Sequence, residues 1–435
     1  MCEDPAEYFS YSINEMFSVE RADVEAMQLD VLQRRFGELR DKIPMLQSLL
    51  NKAEVDSIES LDEIVPLLFD HTVYKSYPPS LLAKGRFDAL TRWLNKLTTH
   101  DLSRVDVSSC ETIDEWMDTL AEQTPILMTH SSGTTGTVSF LPIDAADFER
   151  GGQLWPVIFL QKFGEPQSYF GECPDIPVIS FMHRSSRRST GRYSDMAARY
   201  IAGAEERFLA LYPHKMSADL MYLAGKLRAA QARGNVEDLE ISPALLARKD
   251  EFAKEQASES EAIKAYLDRI KEEYAGKQVF AMSLPHTMYQ TAESSRESIP
   301  RGLFRSDSVM FCPGGTKGQS LPDDWMESVK EMTGVDSITN AYGMSEVIGL
   351  NPICEHGHYH LVPWVIPFVL DPDTCAPLPR SGVQTGRAAF FDLGVQNHWG
   401  GFISGDEITV HWDDQCPCGM KGAFMTDDVI RYSEK

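Results

Sequence analysis

Apolar residues recur at helical spacing through the first 122 positions. Val24, Met27, Val31 and Leu39 fall on one face of a segment dense in Glu, Asp and Arg, and the same period returns near 41–52 and 80–97. This predicts an outer helical layer over 1–122, interrupted by the loop Tyr74-Lys-Ser-Tyr-Pro-Pro79. Asp144 is placed to cap a helix running towards Phe163, after which Ile176–Met182 has the continuous apolar character of a buried strand. Between 215 and 275 the period is helical again, with Ile263, Tyr266, Leu267, Ile270 and Tyr274 three and four residues apart and Gly276 as the stop. Strands and helices then alternate: Val279–Leu284, a helix from about Thr287, Ser308–Phe311, a Gly-rich loop, a helix over Trp325–Met332, and Ser337–Asn340. Such alternation predicts a helix-covered parallel sheet with ligands outside the carboxyl ends of its strands. From Gly357 onward short strands, turns and prolines predict a small β subdomain to residue 412. The expected divisions are 1–122, a core over 123–356, the β subdomain over 357–412 and a Cys-containing tail over 413–435.

Composition narrows the function. At 435 residues and 43% hydrophobic content the chain can bury a large core. Its 65 acidic against 41 basic residues, a formal charge of -24, argue against a nucleic-acid or anionic-membrane surface, where Lys and Arg must neutralise phosphates. A nucleotide is still compatible, because it needs only local donors and Mg²⁺. The N-terminus has neither a basic region nor an apolar segment, and no stretch of about 18 apolar residues follows, so a cytoplasmic protein without a membrane span is expected. Eight cysteines in so long a chain are no disulfide framework, and Cys416-Pro-Cys418 points to metal binding or reactivity.

The candidate chemistry begins at Ser131-Ser-Gly-Thr-Thr-Gly136. Gly133 and Gly136 allow close backbone approach, and successive N–H groups with the hydroxyls of Ser131, Ser132, Thr134 and Thr135 can cradle a phosphate; a plain Ser/Thr/Gly surface turn is the alternative. A second element, Asn340-Ala-Tyr-Gly-Met-Ser-Glu346, lies about two hundred residues on, and Ser404-Gly405-Asp406 follows it. There is no Gly-x-Ser-x-Gly elbow, which excludes a serine hydrolase of the usual kind.

In that order these stretches resemble the signatures of the adenylate-forming superfamily, which includes acyl-CoA ligases, firefly-type luciferases and adenylation domains. Tyr342 to Gly349, Asp406-Glu-Ile-Thr409 and Cys416-Pro-Cys-Gly419 are most similar to the phenylacetate-CoA ligase branch and to the acyl-protein synthetases of bacterial luminescence operons, over roughly residues 125–425. The resemblance implies an α/β fold of stacked mixed sheets covered by helices, with a small β subdomain. It also implies ATP-dependent activation of a small carboxylic acid as an acyl-adenylate, with pyrophosphate released and transfer to CoA or to a carrier or partner-protein thiol. The alternative is a catalytically weak nucleotide- or adenylate-binding scaffold acting through partner proteins.

The implied roles follow the motifs. ATP would lie against Ser131, Ser132, Gly133, Thr134, Thr135 and Gly136, the adenine loop Gly314, Gly315, Thr316 and Lys317, and Asn340, Ala341, Tyr342, Gly343, Ser345 and Asp406. Tyr342 would cover the base, Asp406 would accept the ribose hydroxyls, and Thr134, Ser345 and Glu346 would serve catalysis, Glu346 as the Mg²⁺ ligand. His183 and Arg184 would border the acid, although the cluster Arg184, Arg187, Arg188 and Arg192 reads equally as a solvated basic loop. Cys354, His360, Cys416 and Cys418 form the expected structural Zn²⁺ shell, with His356 and His358 as rival fourth ligands. Two departures stand out. Val138-Ser139-Phe140 replaces the family's Pro-Lys-Gly, and the sequence to residue 435 leaves no room for the family's C-terminal lid domain.

Overall fold

The computed structural model describes residues 1, 3–131, 137–159, 163, 176–234, 241–314 and 321–432. Its centre is a parallel five-stranded sheet of β1 (Val178–Ser186), β2 (Phe208–Met216), β3 (Phe280–Met282), β4 (Val309–Phe311) and β5 (Ser337–Thr339), in the order β2-β1-β3-β4-β5. Period-2 alternation sends its residues to two apolar layers. Ile179, Phe181, Ala281 and Met310 pack against Tyr266, Leu267 and Ile270 of one long helix (Lys249–Glu273) and against two shorter ones, Pro285–Ser294 and Trp325–Thr333. Val178, Phe280, Met282, Val309 and Phe311 face Trp155 and Phe159 of the Ala145–Phe159 helix and Met196 of the Ser189–Ala197 helix. Asp144 caps the first of these, its Oδ1 accepting the Asp147 N–H at 2.8 Å, as its sequence position implies. β2 was not expected, because its outer half from Tyr212 to Met216 is polar and partly exposed and carries no alternating signal.

A second, mixed sheet contains β6 (His358–His360), β7 (Val365–Leu370), β8 (Val383–Asp392), β9 (Gly401–His411) and β10 (Phe424–Thr426), ordered β6-β10-β9-β8-β7. Two distant segments join β9: Phe69–Asp70 runs parallel to Phe402–Ile403, and Ile430–Arg431 runs antiparallel to Asp406–Glu407. Beyond residue 413, Phe424–Thr426 and Ile430–Arg431 are therefore strands of this sheet. Its buried face shares one core with the N-terminal helices, where Leu32, Phe36, Leu46 and Ile64 meet Trp364, Ile366, Phe390 and Trp399. The helical layer thus covers the second sheet, each large buried apolar side chain contributing ~1.5–3 kcal/mol. Among the described residues no helix is long and apolar enough to cross a membrane.

Candidate active site

The order β2-β1-β3 reverses direction at β1, so the crevice at the carboxyl ends of β1 and β3 is where a ligand is expected. A short hairpin reaches this crevice: Thr129–His130 pairs with Phe140–Leu141, and the His130 N–H donates to the Arg187 carbonyl at 3.0 Å. Ser131 closes its neck, its N–H donating to the Ser139 carbonyl at 3.0 Å and its Oγ accepting the Ser139 N–H at 2.9 Å. The His130 ring is buried, with Nδ1 2.9 Å from the Ser131 carbonyl, and burial pushes its pKa down to about 4, so it is neutral. The hairpin's tip, Ser132, Gly133, Thr134, Thr135 and Gly136, lies outside the described residues, as do Gly315, Thr316 and Lys317 of the adenine loop. Gly314 is described, with φ +86, a conformation that favours glycine.

The two later motifs meet directly. Tyr342 donates its hydroxyl to Asp406 Oδ2 at 3.2 Å across 64 residues, while its ring lies against Tyr359 and Phe390 at 5.9 and 5.8 Å. Arg431 reaches the other Asp406 oxygen at 3.4 Å. Gly343 packs closely, since a Cβ there would lie 2.7 Å from Leu350 Cδ2 and displace that side chain. Asn340 holds its own turn, Nδ2 donating to Tyr359 Oη at 3.1 Å and Oδ1 accepting the Ala341 N–H at 2.8 Å. Glu346 is partly buried, and burial together with the nearby Asp406 charge raises its pKa, the condition of a carboxylate whose surroundings favour an added cation.

One group that holds this turn escaped the sequence reading. Asp392, fully buried at the end of β8, accepts the N–H groups of Ile348 and Gly349 at 2.8 and 3.2 Å and of Gly394 at 2.9 Å. A lone acid ending the apolar run Ala388–Phe391 was the available signal. Burial raises its pKa to about 6. The folded chain therefore holds this proton more tightly than the unfolded one, and the stability tied to it, present below pH ~4, declines as pH rises through about 6. Asp392→Asn is expected to flatten that slope in denaturant titrations, and to cost ~1–3 kcal/mol by setting an amide against backbone donors. An unchanged slope would show that the group does not titrate.

Beside the hairpin a cleft of about 810 Å³ opens between β1, β2 and the Pro285–Ser294 helix. Phe181, Leu211, Ile263 and Leu284 supply apolar wall, and His183 and Arg188 line the end towards β1. His183 stacks on Tyr212 with centroids 4.5 Å apart, and burial pushes its pKa down to about 4. Arg184 projects elsewhere, its guanidinium bound to Asp195 at 2.9 Å and Glu205 at 2.6 Å and lying over the Phe208 ring. The residue beside His183 in the cleft is Arg188. The sequence offered four arginines within nine positions and no means of telling which had partners.

The sequence matches no protein-family model and no curated protein. The structure does have counterparts. An open conformation of 2-hydroxyisobutyryl-CoA ligase in complex with 2-HIB-AMP and CoA superposes with a TM-score of 0.52 over 95% of this chain and 76% of that one, at 15% identity. The postadenylation state of that ligase in complex with R3-HIB-AMP gives 0.53 over 95% and 69%, also at 15% identity. Its thioesterification state, with 2-HIB-AMP and CoA, gives 0.51 over 94% and 68%, at 16% identity. The fold is that of the adenylate-forming enzymes.

On this fold the second sheet carries a further cluster. Ligand atoms of Cys354, His360, Cys416 and Cys418 all lie within 4.8 Å of one another. Two similar turns deliver the thiols: the Gly357 N–H donates to the Cys354 carbonyl at 3.1 Å and the Gly419 N–H to the Cys416 carbonyl at 3.0 Å, both glycines at positive φ. Cys354 and Cys416 Sγ are 3.8 Å apart, and Cys418 Sγ is 3.2 Å from His360 Nε2. A tetrahedral ion with sulfur ligands at ~2.3 Å separates them by ~3.8 Å, so the residues fit zinc. His358 Nδ1 also comes within 3.2 Å of Cys416 Sγ, but its ring is partly exposed and stacks on Phe424, whereas His360 is fully buried.

Proposed function

We propose that the protein is an ATP-dependent, adenylate-forming ligase that activates a carboxylic acid. The supporting observation is the Tyr342–Asp406 hydrogen bond, which joins two motifs distant in sequence beside Glu346. A carboxylate oxygen of the acid attacks the α-phosphorus, an O–P bond forms, and the bond to the bridging oxygen breaks with its electron pair leaving on pyrophosphate. No net proton transfer is needed. The work of the protein is positioning and charge stabilisation. In this reading the Ser131–Gly136 loop and Ser345 hold phosphates, Tyr342 covers adenine, Asp406 takes the ribose hydroxyls, and Gly314 to Lys317 border the base. Glu346 would hold Mg²⁺, which neutralises charge on phosphate oxygens. The thiol sulfur of CoA or of a protein then attacks the acyl carbon, an S–C bond forms, the C–O bond to AMP breaks with its electron pair leaving on AMP, and the thiol proton goes to solvent. Cys354, His360, Cys416 and Cys418 would hold a structural zinc, and the protein works in the cytoplasm.

Acid-dependent ATP–pyrophosphate exchange across an acid library, with Mg²⁺ present, tests the reading. Exchange with at least one acid is expected; none across a broad library, with a cell extract added to supply partners, would overturn it. Asp406→Ala is expected to weaken ATP binding about tenfold to a hundredfold, because it removes a charged acceptor for two hydroxyls. Calorimetry measures this, and acid preference should not change. An altered preference at unchanged ATP affinity would move Asp406 out of the ribose site.

A further inference from the structure

The basic loop after β1 is sorted by its partners. Arg184 is bound by Asp195 and Glu205, and Arg187 by Asp118 at 2.7 Å. Arg192 donates to the Met128 carbonyl at 2.7 Å and lies over the Phe148 ring. Arg188 differs: among the described residues its guanidinium has no carboxylate within ion-pair distance and no hydrogen-bond acceptor. It is set into the cleft wall, partly buried, and desolvation holds its pKa below the usual guanidinium value. The neighbouring histidines add no second positive charge, since His130 and His183 are both held neutral by burial. Glu293 also lines the cleft, but it is paired with Arg296 at 2.8 Å.

The position of Arg188 is fixed by a tight elbow. Its N–H donates to Ser186 Oγ at 3.2 Å, and its carbonyl accepts the N–H groups of Gly191 and Arg192, both at 3.1 Å, as the cap of the Ser189–Ala197 helix. A Cβ at Gly191 would fall 1.9 Å from Ser186 Oγ, so only glycine permits this turn. The positive end of the helix adds to the anion preference. In a chain of net charge -24, a cation kept in a cleft without a protein anion is costly unless a ligand supplies one.

Which ligand anion fits follows from the reaction. A carboxylate being adenylated loses its charge as it becomes an anhydride, so an arginine paired with it would favour the ground state over the transition state. An anion that keeps its charge throughout suffers no such loss. Resting on the adenylation reading above, we infer that the acid carries a second anionic group, a carboxylate held by Arg188 at the β1 end of the cleft while the first carboxylate is activated.

The test uses glutarate, adipate and suberate, each against its monomethyl ester, with the full chain. Calorimetry without ATP is expected to show at least one diacid binding about thirtyfold or more tightly than its ester. Arg188→Gln should remove that difference and Arg188→Lys should retain part of it, while ATP affinity stays unchanged in both. Equal binding of diacids and esters by the unmodified chain, or no binding of any diacid, overturns the inference without recourse to a variant. Weakened ATP binding in Arg188→Gln with acid binding intact also overturns it, assigning the residue to a phosphate. The two readings fail separately. Arg188-dependent diacid binding without pyrophosphate exchange would sink the adenylation reading alone, and exchange on monoacids indifferent to Arg188 would sink this one alone.

Discussion

Glu346→Gln is expected to reduce acid-dependent pyrophosphate exchange by about a hundredfold to a thousandfold, the scale on which one electrostatic stabiliser of developing charge acts. The substitution keeps size and shape and removes only the charge. The fold should survive, because the turn is held by Asp392 through the Ile348 and Gly349 N–H groups. Burial and Asp406 raise the Glu346 pKa, and a metal needs the ionised carboxylate, so apparent Mg²⁺ affinity of the unmodified protein should increase as pH rises through that raised value. In the variant the Mg²⁺ dependence should lose this pH response. A variant with unmodified rates and an unmodified melting curve would make Glu346 an ordinary surface acid.

The second large effect is expected on metal removal. Protein purified without a histidine tag should contain about one zinc per chain by the ligand count, and Cys418→Ser should lower that content. Without a cation the three thiols gathered around an imidazole stay protonated: burial, with the Cys418 and Cys354 thiols beside it, pushes Cys416 up to about 12, whereas a bound metal favours thiolate. Chelation should therefore loosen Phe424–Thr426 and Ile430–Arg431 first, seen as faster amide hydrogen exchange there while β1, β3 and β4 stay protected. Because Arg431 reaches Asp406, nucleotide affinity should shift after the strand opens. A metal-free protein of full stability, or zinc content untouched by Cys418→Ser, would overturn the assignment.

Legibility in the sequence followed burial. β3 and β4, buried runs between helices of regular period, lie within the expected stretches, as does the less buried β5, and Tyr266, Leu267 and Ile270 share one buried helix face as their spacing implies. The four metal-site residues came together as expected, since close spacing within each half left few arrangements. β2 was missed because its exposed half is polar, and Asp392 because a buried acid that accepts only backbone N–H groups has no partner motif to announce it. Arg184 and Arg188 were indistinguishable by type. Only the strand pleat, which turns one towards Asp195 and Glu205 and the elbow, which sets the other in the cleft, separates them.

The strand β9 accepts Phe69–Asp70 along part of one edge and Ile430–Arg431 further along, so the sheet is stitched from positions as distant as 69 and 402. Such closure is entropically slow, because a long intervening chain must be ordered before the pairing is rewarded. During synthesis, Phe69 and the apolar faces of the early helices have no sheet to cover until β9 leaves the ribosome. The nascent chain is thus expected to depend on chaperones that shield apolar surface, and its yield to be limited by aggregation well before the mature protein's stability matters.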